Sequence, residues 1–225
     1  AQEMTDDERD AFRAEVRAYL LENPEVIMEA IAVLQERDDQ LAAQGDLQLL
    51  AANSEALFND PTSFVGGNPD GDITIVEFLD YRCGYCKRAH PEVAQLLQSD
   101  GNIRYVVKEL PILGEASVLA SRYALAVKLT AGDEAYEAVH NTLMALRGEV
   151  NDENLSRLTN QLGLDGNAIE IAMGSSEIDD ILNRNRQLAQ AMQINGTPTF
   201  VVENQLLRGY LPLDQMQLVI EDIRG

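Results

Sequence analysis

Cys83 and Cys86 are the only cysteines of the chain, and just Gly84 and Tyr85 separate them. Thiols at this spacing can do thiol–disulfide exchange, in which one thiolate attacks a disulfide sulfur and the second thiol resolves the mixed disulfide. The run Ile73-Thr74-Ile75-Val76-Glu77-Phe78-Leu79, mostly β-branched or aromatic, predicts a strand just upstream, and Lys87 to Leu97 has the apolar spacing of a helix just downstream. The pair therefore falls at a strand-to-helix junction. Unpaired N–H groups and the positive end of a helix favour thiolate over thiol there. Cys83, at the exposed start of the helix, is the expected attacker, and Cys86, one turn further in, the expected resolver.

In this context the Cys-x-x-Cys pair reads as a thioredoxin-like redox site. A zinc site would have to add His90 and His140 to the two thiols, and structural zinc needs four ligands at matched spacing, whereas only the thiols are paired here. No metal ligand set is therefore assigned. No cofactor beyond a redox-active disulfide is needed.

The stretch Glu77-Phe78-Leu79-Asp80-Tyr81-Arg82-Cys83-Gly84-Tyr85-Cys86-Lys87, with Gly196-Thr197-Pro198-Thr199-Phe200 far downstream, resembles the DsbA-like branch of the thioredoxin superfamily. With its N-terminal segment the chain is most similar to the bacterial suppressor-of-copper-sensitivity protein C group. That resemblance implies a buried acid at Glu77, which strand alternation alone would allow to face solvent. Burial would raise its pKa and suit it to passing protons near the second thiol. It also implies a cis bond before Pro198, beside the dithiol, with the Thr197 backbone pairing with a bound substrate strand, and a bend in the active-site helix at Pro91. Gly84 and Tyr85, expected to meet substrate, depart from the Pro-His pair of the strongly oxidising members, so a less oxidising dithiol is expected. His90 reads as a surface or packing residue of the helix.

Stepping along the chain, Phe12, Val16, Tyr19 and Leu20 fit a short amphipathic helix ending near Glu22, and Asn23-Pro24-Glu25 signals a second helix start. Ile27, Ile31, Leu34 and Leu41 form an apolar stripe on that second helix, interrupted at Asp38. The segment is too short for a core of its own and precedes the catalytic unit, so self-association is expected to bury the stripe. Residues 1–45 are thus read as a helical oligomerisation segment and 46–62 as a helical linker with a flex point at Gly45. Residues 63–225 are read as a thioredoxin-fold catalytic domain whose core lies after Pro61. Gly66-Gly67-Asn68-Pro69-Asp70-Gly71 reads as a turn cluster. Ile103 to Lys108 completes a βαβ unit with parallel strands. Helical periodicities then run from about 114 to 192, matching the helical insertion of the DsbA-like branch, before a hairpin (Phe200–Val202, Leu206–Arg208) and a last helix from Leu213 to Ile223. The fold class is α/β.

The chain has 225 residues, 45% of them hydrophobic, which suits one folded core with an appendage. A net charge of −21 repels nucleic-acid phosphates and anionic lipid surfaces, so neither is expected as a partner. The start, Ala1-Gln2-Glu3-Met4-Thr5, has no basic or apolar leader, which leaves a cytosolic protein or a removed signal peptide. The resemblance implies the periplasm with the signal peptide removed. It also implies unfolded or misfolded secreted proteins as substrates, a membrane-bound redox partner and a homo-oligomer, three chains favoured over two. The alternatives are a monomeric dithiol oxidase and a copper-tolerance protein holding Cu(I) on soft thiolates.

Overall fold

The computed structural model describes residues 4–225, which divide into two compact units, one up to Gly45 and one from Asp46.

In the first unit, α1 runs Asp6–Glu22. Thr5 caps it through a reciprocal box: the Glu8 N–H donates to Thr5 Oγ1 at 3.4 Å and the Thr5 N–H to Glu8 Oε2 at 2.8 Å. The chain turns at Asn23-Pro24 and re-enters a helix, α2, Glu25–Phe58, whose residues up to Gly45 belong to this unit. No α1 residue is buried. Phe12, Val16, Ile27, Ile31, Leu34 and Leu41 all stay exposed.

The second unit is built on a five-stranded sheet of order β1-β3-β2-β4-β5. Its strands are β1 (Phe64–Gly67), β2 (Ile73–Leu79), β3 (Ile103–Glu109), β4 (Thr199–Val202) and β5 (Gln205–Arg208). β2 and β3 pair in parallel, Ile73 opposite Ile103 through Leu79 opposite Glu109, across α3 (Gly84–Asp100). β1, β4 and β5 add antiparallel. Between β3 and β4 come α4 (Glu115–Ala145), α5 (Asp152–Gln161), α6 (Gly166–Met173) and α7 (Ser176–Ala191), and α8 (Leu213–Arg224) closes the chain. The expected α/β architecture with a helical insertion is present. Gly132, at φ 85° and ψ −177°, breaks α4 into two arms, a backbone state that glycine reaches without a Cβ penalty.

Both faces of the central strands are covered, as parallel strands require. Ile73, Ile75 and Leu79 of β2, with Ile103, Tyr105 and Val107 of β3, pack toward α3, α4 and α8. Val76, Phe78 and Val106 face the other way, against Leu188 and Met192 and against Leu50 and Leu57 of α2. The reading of 46–62 as a linker is corrected by these contacts. Leu50 and Leu57 are seven residues apart, two helical turns, so α2 lays one stripe on the sheet and the core begins well before Pro61. Lys108, on the same sheet face as Val106, is wholly buried and donates to Asp60 Oδ2 at 2.8 Å.

The turn cluster expected at Gly66-Gly67 is instead the end of β1, paired with β3 from Phe64 opposite Val107 to Gly67 opposite Arg104. Gly67 has φ +65°, and a Cβ there would stand 2.4 Å from the Ile103 carbonyl oxygen. Glycine signalled a close backbone approach rather than a loop.

Leu57→Ala should lower the unfolding free energy by about 3 kcal/mol in urea titration, as a fully buried leucine does. A cost near zero would make 46–58 a spacer after all.

Candidate active site

Cys83 is the N-cap of α3, in extended conformation at φ −71° and ψ 119°, and Cys86 lies in the first turn. The junction is fixed by Asp80, which is buried. The Asp80 carbonyl accepts the Cys83 N–H at 3.0 Å. Its side chain accepts the Arg82 N–H at 2.8 Å and the N–H groups of Ile112 and Leu113 at 2.8 and 3.0 Å. One short acidic side chain thus ties the end of β2 and the loop after β3 to the turn that holds the dithiol. Further along α3, Pro91 lacks the N–H that would bond the Lys87 carbonyl.

Both thiols are free. Cys83 was expected at an exposed helix start, yet it keeps only 7% of its surface. The loop before β4 lies against it, and the Cys83 thiol donates to the Thr197 carbonyl at 3.1 Å. The Thr197–Pro198 bond is cis. Two segments 114 residues apart in sequence therefore meet at the sulfur. Gly84 opens α3 on the surface, and Tyr85 is 61% exposed, its ring 6.3 Å from that of Tyr210. Tyr210 is itself held by Glu92, to which its hydroxyl donates at 2.6 Å, and by the Arg88 guanidinium 4.4 Å over its ring.

Cys86 has no exposed surface. Burial, reinforced by the nearby Glu77 carboxyl, pushes its thiol far up. Glu77 occupies the core-facing slot between Ile75 and Leu79 on β2 and is 2% exposed. Burial pushes its carboxyl up to about 7 against the single hydrogen bond from the Tyr105 hydroxyl at 2.5 Å, and Glu109 adds to the rise. The arrangement supplies a nucleophile in contact with a polypeptide carbonyl, a protonated second thiol, and an acid able to exchange protons near neutrality. That is the equipment of dithiol–disulfide exchange.

The structure brings Cys83, Cys86, Glu77, Thr197 and Pro198 together, with Gly84 and Tyr85 on the rim. His90 is half-buried on α3, its ring edge-on to that of His140 at 5.1 Å. Among the described residues no three His, Cys, Asp or Glu side chains converge as a metal site. Asp80, Tyr105 and Glu109 escaped sequence reasoning. The signal for Glu109 was the charged pair Lys108-Glu109 closing the strand after the apolar run Tyr105-Val106-Val107, just before Leu110-Pro111.

Residues 74–221 match the DSBA-like thioredoxin domain family, and residues 8–40 match the copper resistance protein ScsC N-terminal domain. A thioredoxin-like oxidoreductase from Silicibacter pomeroyi DSS-3 is 42% identical, with a TM-score of 0.71 over 76% of this chain and 96% of that one. Salmonella enterica Typhimurium BcfH is 28% identical, with a TM-score of 0.79 over 96% of each chain. Proteus mirabilis ScsC in a transitional conformation is 28% identical, with a TM-score of 0.71 over 97% of this chain and 96% of that one. Among curated relatives the chain also matches Na(+)/H(+) antiporters, spanning 24% of the length of NhaA 3 from Salinispora tropica at 27% identity over 69% of this chain. No helix among the described residues is long and apolar enough to cross a membrane. With a matched model that covers its dithiol, its helical insertion and its cis-proline loop, the chain belongs to the DSBA-like thioredoxin-domain family.

Proposed function

We propose that the chain is a protein thiol:disulfide oxidoreductase acting on unfolded or misfolded secreted proteins in the periplasm, and that it works as an oligomeric isomerase. The observation that carries the reading is the Cys83 thiol in contact with the Thr197 carbonyl, beside a buried Cys86 and Glu77. Cys83 attacks as thiolate on a substrate disulfide, the substrate S–S bond breaks, and the substrate's other sulfur leaves as thiolate. The Thr197 backbone pairs with the substrate strand and holds its sulfur in line. If that freed thiolate attacks another substrate disulfide, the sulfur it displaces can attack the substrate sulfur of the mixed disulfide and expel Cys83 as thiolate, and the substrate is reshuffled with no net redox change. Otherwise Cys86 gives its proton to the Glu77 carboxylate and attacks the Cys83 sulfur. The substrate then departs reduced, two electrons richer, and the enzyme is left with a Cys83–Cys86 disulfide for a membrane-bound partner to reduce.

Cys86→Ser should trap covalent Cys83–substrate adducts on non-reducing gels, whereas Cys83→Ser should lose both trapping and turnover. Equal trapping by the two variants would reverse the roles.

The Glu77 carboxyl binds its proton more tightly folded, at about 7, than unfolded, at 4.5. Between those pH values only the folded protein keeps the proton, so raising pH through the window costs stability. Glu77→Gln removes this loss. The variant should gain on the wild type by on the order of 3 kcal/mol from pH 4.5 to 8 in urea unfolding. A difference independent of pH would show a carboxyl with an ordinary proton affinity.

Support for the oligomer comes from the exposed apolar side chains of residues 4–45 and from the ScsC-like match at 8–40. Several dithiols facing one substrate let it be attacked again before it escapes. An interrupted stripe suits a compact bundle better than a long coiled coil, and the family resemblance favours three chains over two. Removing residues 1–45 should leave the second unit folded, monomeric by light scattering, and poor at refolding a scrambled disulfide protein while still oxidising a reduced one. A truncated chain that sizes as an oligomer would place the interface in the second unit.

A further inference from the structure

Glu109 has no part in the reaction as just described, yet its surroundings are built. It follows Tyr105 and Val107 along β3 on the sheet face that also holds Glu77, and the parallel register sets it opposite Leu79. Its carboxyl is buried, and no salt bridge reaches it among the described residues. Hydroxyls meet it instead: Tyr81 and Tyr136 donate to Oε1 at 2.7 and 2.6 Å, and Ser121 donates to Oε2 at 2.7 Å. The two arms of α4 bring Ser121 and Tyr136 from either side of Gly132.

The neighbouring groups keep the cluster free of positive charge. Tyr81 gives its proton to Glu109, so the His140 Nδ1 at 3.1 Å must donate to the Tyr81 oxygen. His140 Nε2 is then left without a protein partner, and burial with the adjacent His90 keeps the ring neutral down to about 3. Asp80, Cys86 and Tyr105 complete the titratable groups around the two acids, and all three are neutral or negative. A cleft of about 400 Å³ lined by His90, Tyr105, Glu137 and His140 opens beside the cluster and gives protons a way to solvent.

Two carboxyls in one low-dielectric region do not ionise independently. Three hydroxyl donors serve Glu109 and one serves Glu77, so the first negative charge settles on Glu109. We propose that Glu109 is a positioning residue that acts through Glu77: its charge, held by Tyr81, Tyr136 and Ser121, keeps Glu77 basic enough to take the Cys86 proton. This rests on the assignment of Glu77 as that proton acceptor.

The test mixes the reduced full-length chain with excess symmetrical peptide disulfide in a stopped-flow instrument from pH 5 to 9. Release of the first peptide thiol reports attack by Cys83, and release of the second reports attack by Cys86. In the balanced reaction the dithiol loses two protons and two electrons and the peptide disulfide gains them. In the wild type the second phase should accelerate with pH about a midpoint near 7, where Glu77 ionises. In Glu109→Gln that midpoint should fall by about one pH unit, and the plateau rate should drop severalfold as Glu77 becomes the weaker base. Glu109→Asp should restore the wild-type midpoint. Ser121→Ala, a milder change that remains informative should Glu109→Gln not fold, should shift the midpoint the same way by less.

Glu77→Gln separates the two assignments. Loss of the pH-dependent limb in Glu77→Gln with an unmoved midpoint in Glu109→Gln and Ser121→Ala overturns the role of Glu109 alone. A limb that survives in Glu77→Gln overturns the parent assignment instead.

Discussion

Everything at this site depends on two adjacent parallel strands that are covered on both faces. A strand offers alternate side chains to opposite sides, so each residue of β2 and β3 is committed to one layer or the other. Glu77 and Glu109 fall on the layer of α3 and α4, and Lys108 falls on the layer of α2 and α7. All three are buried. Their partners are therefore supplied within the fold: hydroxyls from Tyr105 of β3, from Tyr81 of the turn after β2 and from Tyr136 and Ser121 of α4, and the Asp60 carboxylate for Lys108. The helical insertion thereby carries polar partners as well as apolar cover.

The two thiols are close in sequence and opposite in setting. Cys83 touches a backbone carbonyl at the rim, whereas Cys86 is enclosed with an acid behind it. Such asymmetry suits exchange, because the first thiol must be ready before substrate arrives and the second should hold its proton until the mixed disulfide forms. If both thiols were equally acidic, each adduct would be resolved at once, and reshuffling would give way to simple reduction.

The sequence announced the dithiol, the strand before it and the helix after it. The composition of Ile73–Leu79 and the spacing of Lys87–Leu97 are local signals, legible even though β2 finds its partners in β3 and β4 far along the chain. Thr197-Pro198 was legible only through its likeness to a family motif, since nothing in a dipeptide tells that its carbonyl meets a sulfur 114 residues away. Leu50 and Leu57 were hidden because their neighbours Gln48, Asn53 and Ser54 dilute the apolar stripe, and only the sheet beneath reveals its period. Glu109 was hidden for a different reason. A glutamate next to a lysine looks like a solvated pair, and burial on opposite faces of one strand cannot be seen without the strand's two covers.

The ion pair between Lys108 and Asp60 decides where this protein can be divided. Asp60 follows the last turn of α2 by two residues and reaches into the layer beneath the central strand. A fragment that begins at Thr62 would contain every strand and every residue of the dithiol site, and would still strand an ammonium in the core with its leucine neighbours gone. The portable catalytic module is therefore longer at its head than its strands suggest. A fusion or transplant has to carry the second half of α2 with it.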